Sequence, residues 1–88
     1  MKVEFSRTFE KDLEAIVDPK VLARFEVVIK EMREAKELIV VRNLKKLTGK
    51  PGHYRIRVGD FRIGLKIIGV TAMLLRCLHR KDIYRYFP

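Results

Sequence analysis

An 88-residue chain with 20 Lys and Arg against 11 Asp and Glu, a formal charge of +9, has room for one thin core and a surface that attracts anions. Its one cysteine, Cys77, excludes an internal disulfide, and its most apolar run, Ile63 to Leu78, is too short for a bilayer and is broken by Lys66, Gly69 and Arg76. The expectation is a single cytoplasmic domain over 1–88, without a leader peptide, a membrane partner or a cofactor.

In chain order, Lys2 to Phe5 alternates as a short strand. Ser6 or Thr8 can cap a helix whose apolar stripe is Phe9, Leu13 and Ile16. Asp18 followed by Pro19 is a helix start, since proline lacks only an N–H that would be unpaired there. Leu22, Phe25, Ile29 and Met32 repeat at three and four, which predicts a second helix to about Lys36, antiparallel to the first. The signal between Leu38 and Leu47 is mixed, apolar and then basic, and Thr48 to Gly52 is a loop by composition.

Three strands follow, His53 to Val58, Phe61 to Ile68 and Val70 to about His79. The two-residue turn Gly59-Asp60 fixes the pairing of the first two: Val58 faces Phe61, Arg57 faces Arg62, Ile56 faces Ile63 and Arg55 faces Gly64. Tyr54, Ile56, Val58, Phe61 and Ile63 then share an apolar face, and His53, Arg55, Arg57, Arg62 and Lys66 share a basic one. Parity carries Thr71, Met73, Leu75, Cys77 and His79 to the arginine side. It also leaves Arg76 on the core side, which a bulge or an edge position would relieve. The fold class expected is α+β, a four-stranded antiparallel β-sheet with an N-terminal helical hairpin packed on one face, in the order β-α-α-β-β-β, ending in a short C-terminal segment.

Like charges directly opposite across a ladder cost a few tenths of a kcal/mol or more, so Arg57 facing Arg62 points to a use outside the fold. The charge distribution agrees. Residues 1–37 carry eight Lys and Arg and nine acids, whereas residues 38–88 carry twelve and two. A polyanionic partner fits that asymmetry, whether nucleic acid, ribosome or an acidic protein. Lys45, Lys46, Lys50, Lys66 and Lys81 fit as sequence-blind phosphate contacts. No metal constellation exists, with one cysteine and two histidines on different strands, and the loop framed by Gly49 and Gly52 lacks the pattern of a nucleotide-phosphate loop.

The stretches "LKKLTGKPGHYRIRVGDFRIGLKI" and "LHRKDIYRYF", within an order of elements running from Lys2 to Phe87, resemble the RelE/ParE toxin superfamily of toxin-antitoxin systems, in particular its RelE-like mRNA interferase branch. The resemblance implies a metal-independent endoribonuclease that cuts mRNA in the ribosomal A site and is held inactive by a cognate antitoxin. It implies that Arg55, Arg57, Arg62 and Arg80 are the functional arginines and that Tyr84, or alternatively Tyr86, is the functional tyrosine. Some family members carry lysines where this chain has Arg55 and Arg57.

The chemistry has its own requirements. Cleavage by the RNA's 2′-hydroxyl needs a proton acceptor, a proton donor for the departing oxygen, and cations on the phosphorane. Arginine forks meet the last need and are poor bases. His79, His53, Tyr84 and Tyr86 remain as proton carriers near the basic surface, with His79 the preferred histidine. Two other readings stay open, a ParE-like inhibitor of DNA gyrase with no catalysis and a basic module that binds RNA or the ribosome without cutting.

Overall fold

The computed structural model describes residues 1–37 and 40–88. The elements in chain order are β1 (Lys2–Phe5), α1 (Arg7–Glu14), α2 (Pro19–Glu34), β2 (Leu44–Lys46), β3 (His53–Val58), β4 (Phe61–Ile68), β5 (Thr71–His79) and α3 (Arg80–Tyr86). Of the segment with mixed signal, Leu38 and Ile39 lie outside the described residues.

Local chemistry sets the two long helices. Ser6 caps α1 by accepting from the Phe9 N–H, and Asp18 caps α2 by accepting from the Lys20 N–H with Pro19 as first helical residue. Thr8 lies inside α1, and α1 stops at Glu14, so Ile16 packs on the core from beyond the helix. Phe9, Phe25, Ile29 and Met32 meet Ile56, Val58, Ile63, Leu65, Ala72, Leu74 and Cys77 in one core between the helical pair and the sheet.

The sheet has five strands and is mixed, in the order β1-β5-β4-β3-β2, which corrects the expected four antiparallel strands. β1 lies parallel to β5, Lys2 beside Thr71 and Phe5 beside Leu74. β2 adds an edge strand antiparallel to β3. The hairpin register is the expected one, with Arg57 opposite Arg62. Gly59, at φ 60°, takes the first turn position, where a II′ hairpin turn needs the left-handed side of the backbone map.

The face assignment of β5 requires a second correction. Leu65 pairs with Leu74 but Gly64 pairs with Arg76, so Leu75 is an extra residue and the parity of the strand flips there. Beyond this bulge Cys77 and His79 turn to the helix side, opposite Ile63 and Phe61, and Leu78 joins the arginine side opposite Arg62. The flip also relieves Arg76. It sits where β1 no longer flanks β5, and its guanidinium reaches Asp12 of α1 at 2.8 Å.

Part of the arginine face is covered. α3 is only seven residues long, too short to persist alone, and packing holds it: Ile83 and Phe87 are buried with Leu47 against Leu75 and Leu78. Each such side chain contributes roughly 1.5–3 kcal/mol. Gly64 makes room for this, since a Cβ there would lie 2.6 to 2.7 Å from three ring carbons of Phe87.

Cys77 is sealed beneath α1, its Sγ 3.9 Å from the Phe9 carbonyl. Burial, with Asp12 nearby, pushes the thiol from 9.0 up to about 12, so it is protonated at neutral pH. Iodoacetamide at pH 8 is expected to label Cys77 only as fast as the chain opens, with labelling in urea following the unfolding curve. Between pH 9 and about 12 the unfolded chain loses this proton and the native chain keeps it, so stability falls as pH rises through that window.

Candidate active site

Alternation along β3 and β4 aims Arg55, Arg57 and Arg62 at the same side of the sheet, and β2 and α3 wall the space above them. The result is an open cleft of about 300 Å³ lined by Asn43, Leu44, Lys45, Arg55, Arg57, Arg62 and Tyr84. That volume suits a small charged group at the low end of ligand sites. Its lining has four cationic side chains and no carboxylate. Among the described residues the ion pairs are Lys2 with Glu4 and Arg76 with Asp12, so the cleft arginines keep their charge for a ligand.

Each guanidinium is oriented by neutral groups. Arg62 Nη1 donates to the carbonyls of Gly59 and Phe61, both at 2.9 Å. Arg57 Nη2 donates to Asn43 Oδ1 at 3.3 Å. Arg55 lies beneath the Tyr84 ring, its Cζ 4.5 Å from the centroid, a distance at which ring and cation attract. Tyr84 is 68% exposed and lines the cleft. Of the two tyrosines left open by sequence, Tyr84 lines the cleft, whereas Tyr86 lies over Arg76, 5.6 Å from its Cζ.

The other candidates are dispersed. Lys45 is in the cleft, and Lys46 and Lys50 flank a neighbouring hollow with Thr48, Gly49 and Pro51. Lys66 is exposed on β4 opposite His53, and Lys81 is exposed on α3. Arg80 starts α3, its N–H bonded to the Asp60 carbonyl, and does not line the cleft. His79 is on the far side of the sheet from the arginines: it caps α3 by accepting from the Lys81 N–H and sets its ring edge-on to Phe61 at 5.6 Å. His53 Nδ1 donates to the Pro51 carbonyl at 3.1 Å, and its ring tilts against Phe87. Sequence reasoning missed Asn43. Its φ of 61° is the one positive value at a non-glycine residue among those described, and asparagine's tolerance of that region was the available signal.

Among the described residues no group of three or more His, Cys, Asp or Glu side chains is placed to hold a metal. Among the described residues no helix is long and apolar enough to cross a membrane.

The architecture and sequence have relatives. The family of ParE toxins of the type II toxin-antitoxin system parDE matches residues 3–84. Toxin RelE3 of Methanocaldococcus jannaschii is 43% identical over 89 aligned residues, spanning the whole of both chains. The crystal structure of the RelB-RelE antitoxin-toxin complex from Methanococcus jannaschii contains a chain that is 40% identical and superposes with a TM-score of 0.82 over 97% of this chain and 99% of that one. The RelBE2 toxin-antitoxin complex of Mycobacterium tuberculosis gives 27% identity and a TM-score of 0.65, over 90% and 96%. This chain therefore belongs to the RelE/ParE superfamily of type II toxin-antitoxin toxins.

Proposed function

We propose that the protein is a ribosome-dependent endoribonuclease that cuts mRNA by attack of a 2′-hydroxyl on the adjacent phosphorus. The observation that carries this reading is the convergence of Arg55, Arg57 and Arg62, with Lys45, on one open cleft whose lining holds no carboxylate. In the reaction the 2′-oxygen bonds to phosphorus as the bond to the 5′-oxygen breaks, one proton leaves the 2′-hydroxyl, and one reaches the departing oxygen. Guanidinium forks stabilise the charge on the non-bridging oxygens and keep their own protons throughout. Proton transfer then falls to the Tyr84 hydroxyl, to water, or to groups of the ribosome, and catalysis on free RNA is weak. The other relevant surface features, Lys46, Lys50, Lys66, Lys81 and Arg80, serve as phosphate contacts to mRNA or ribosomal RNA.

Relatives of this chain were solved as antitoxin-toxin complexes, which supports a cognate antitoxin as partner. An acidic or amphipathic chain suits the basic half or the helical hairpin.

The test is primer extension on translated mRNA after induction, with analysis of the cut ends. A 2′,3′-cyclic phosphate and a 5′-hydroxyl are expected, and a 2′-deoxy substitution at the cut site should stop cleavage. Tyr84→Phe is expected to slow cleavage by about a hundredfold, within the range for loss of a proton-transfer group, and Tyr86→Phe by less than about threefold. Intact message together with inhibition of gyrase supercoiling would favour the non-catalytic reading that the ParE family match makes the main rival.

A further inference from the structure

We infer that Asn43 is a positioning residue for Arg57, resting on the reading of the cleft as an RNA-cleaving site. Two bonds tie the pair together. The Arg57 N–H donates to the Asn43 carbonyl at 3.2 Å, and Arg57 Nη2 donates to Asn43 Oδ1 at 3.3 Å. Asn43 lies one residue before β2 with φ 61°, a backbone setting that glycine adopts freely and that asparagine tolerates better than other side chains. The left-handed residue thus brings main chain and side chain to the same arginine from the wall of the cleft.

The chemistry favours an amide here. Arg57 faces Arg62 across the hairpin, so repulsion drives the two forks apart, and an exposed arginine has several rotamers to sample. An amide oxygen selects one of them without cancelling charge. A carboxylate at the same place would hold the fork more tightly and neutralise it, competing with the phosphate. Asn43 touches Arg57 rather than the reacting atoms, so its effect passes through the arginine.

The test is a double-mutant cycle in single-turnover cleavage on ribosomes, with thermal melting of each variant. Asn43→Gly keeps the backbone setting and removes the amide, and is expected to slow the chemical step by about tenfold while the ribosome concentration for half-maximal rate changes less than about twofold. Asn43→Asp should slow it by about a hundredfold, although its shape and backbone tolerance are retained. In the Arg57→Ala background, itself slower by about a hundredfold, Asn43→Gly should have no further effect. Cleavage by Asn43→Gly at the wild-type rate, or a tenfold loss that adds in full to that of Arg57→Ala, would overturn the inference and leave the cleft assignment standing. Arg57→Ala cutting at the wild-type rate would overturn the cleft assignment itself, and the role of Asn43 with it.

Discussion

Replacing Arg62 by alanine is expected to slow message cleavage by about a hundred- to a thousandfold while the protein melts within a few degrees of wild type. The kinetic part follows from the cleft. Arg62 is one of three guanidinium groups lining it, and removing a single preorganised donor from a developing oxyanion typically costs that much in rate. The stability part follows from what Arg62 does for the fold. Its two bonds go to the Gly59 and Phe61 carbonyls, one exposed and one half-buried, where water can take the arginine's place, and each contributes about 0.5 kcal/mol, the low end of the usual range. Against that, alanine relieves the like-charge facing of Arg57 and Arg62, worth a few tenths of a kcal/mol or more. The net lies within about 1 kcal/mol, or about 4–8 °C at the outside for a domain of this size. Primer extension and calorimetry on the same preparation read both quantities. If the variant cuts within threefold of the wild-type rate, the arginine cleft is not the reaction site.

This separation of activity from stability explains why the hairpin was legible in the sequence. A two-residue turn leaves one register, so the facing of Arg57 and Arg62 could be read without knowing anything else about the sheet. The cap at Asp18 was legible for a similar reason, and that of the first helix was narrowed to Ser6 or Thr8, because a cap acts within three residues of itself. Long-range or short features were not. Leu44–Lys46 is a three-residue strand with two lysines and shows no alternation, and the parallel pairing of β1 with β5 joins segments some seventy residues apart. The family resemblance was legible from the same hairpin and from the "HRKDIY" segment, and the matches to RelE and ParE toxins agree with it.

The misplacement of His79 has a single physical origin. Extrapolating period-two alternation from Thr71 to His79 assumes an unbroken ladder, and one extra residue at Leu75 reverses every assignment after it. The awkward parity of Arg76 was the visible trace of that residue. Asn43 was missed because its role depends on a backbone angle and on the approach of β2 to β3, neither of which composition reveals. Tyr84 and Tyr86 could not be separated by sequence since both fall in a segment whose pitch was unassigned. As a helix, α3 sets Tyr84 over Arg55 and Tyr86 over Arg76.

Asp12→Ala is expected to destabilise the fold by about 2–4 kcal/mol, a large share of the roughly 5–10 kcal/mol available to a domain of this length. Asp12 accepts three hydrogen bonds, from Arg76 Nε at 2.8 Å, Arg76 Nη2 at 3.1 Å and the Cys77 N–H at 3.1 Å. Its side chain is 11% exposed and that of Arg76 24%, so alanine strands a cation and a backbone donor in a poorly hydrated place. The hydrogen bond to Asp12 raises the pKa of Arg76 against the opposing effect of burial, and a guanidinium keeps its charge in a protein without such a partner. Residual access of water to Arg76 holds the loss below that of a fully buried pair. The site also joins elements: Asp12 belongs to α1, Arg76 to the unflanked end of β5, and Tyr86 of α3 lies on the same guanidinium. Asp12→Asn keeps an acceptor for the Cys77 N–H and should lose about half as much. Adding Arg76→Met to Asp12→Ala removes the stranded charge and should recover part of the loss. Urea unfolding with an unchanged m-value reads each of these differences. A shift below about 1 kcal/mol for Asp12→Ala would mean that water replaces the carboxylate at no cost, and that the bulge at Leu75 rather than this ion pair is what seats Arg76 at the sheet edge.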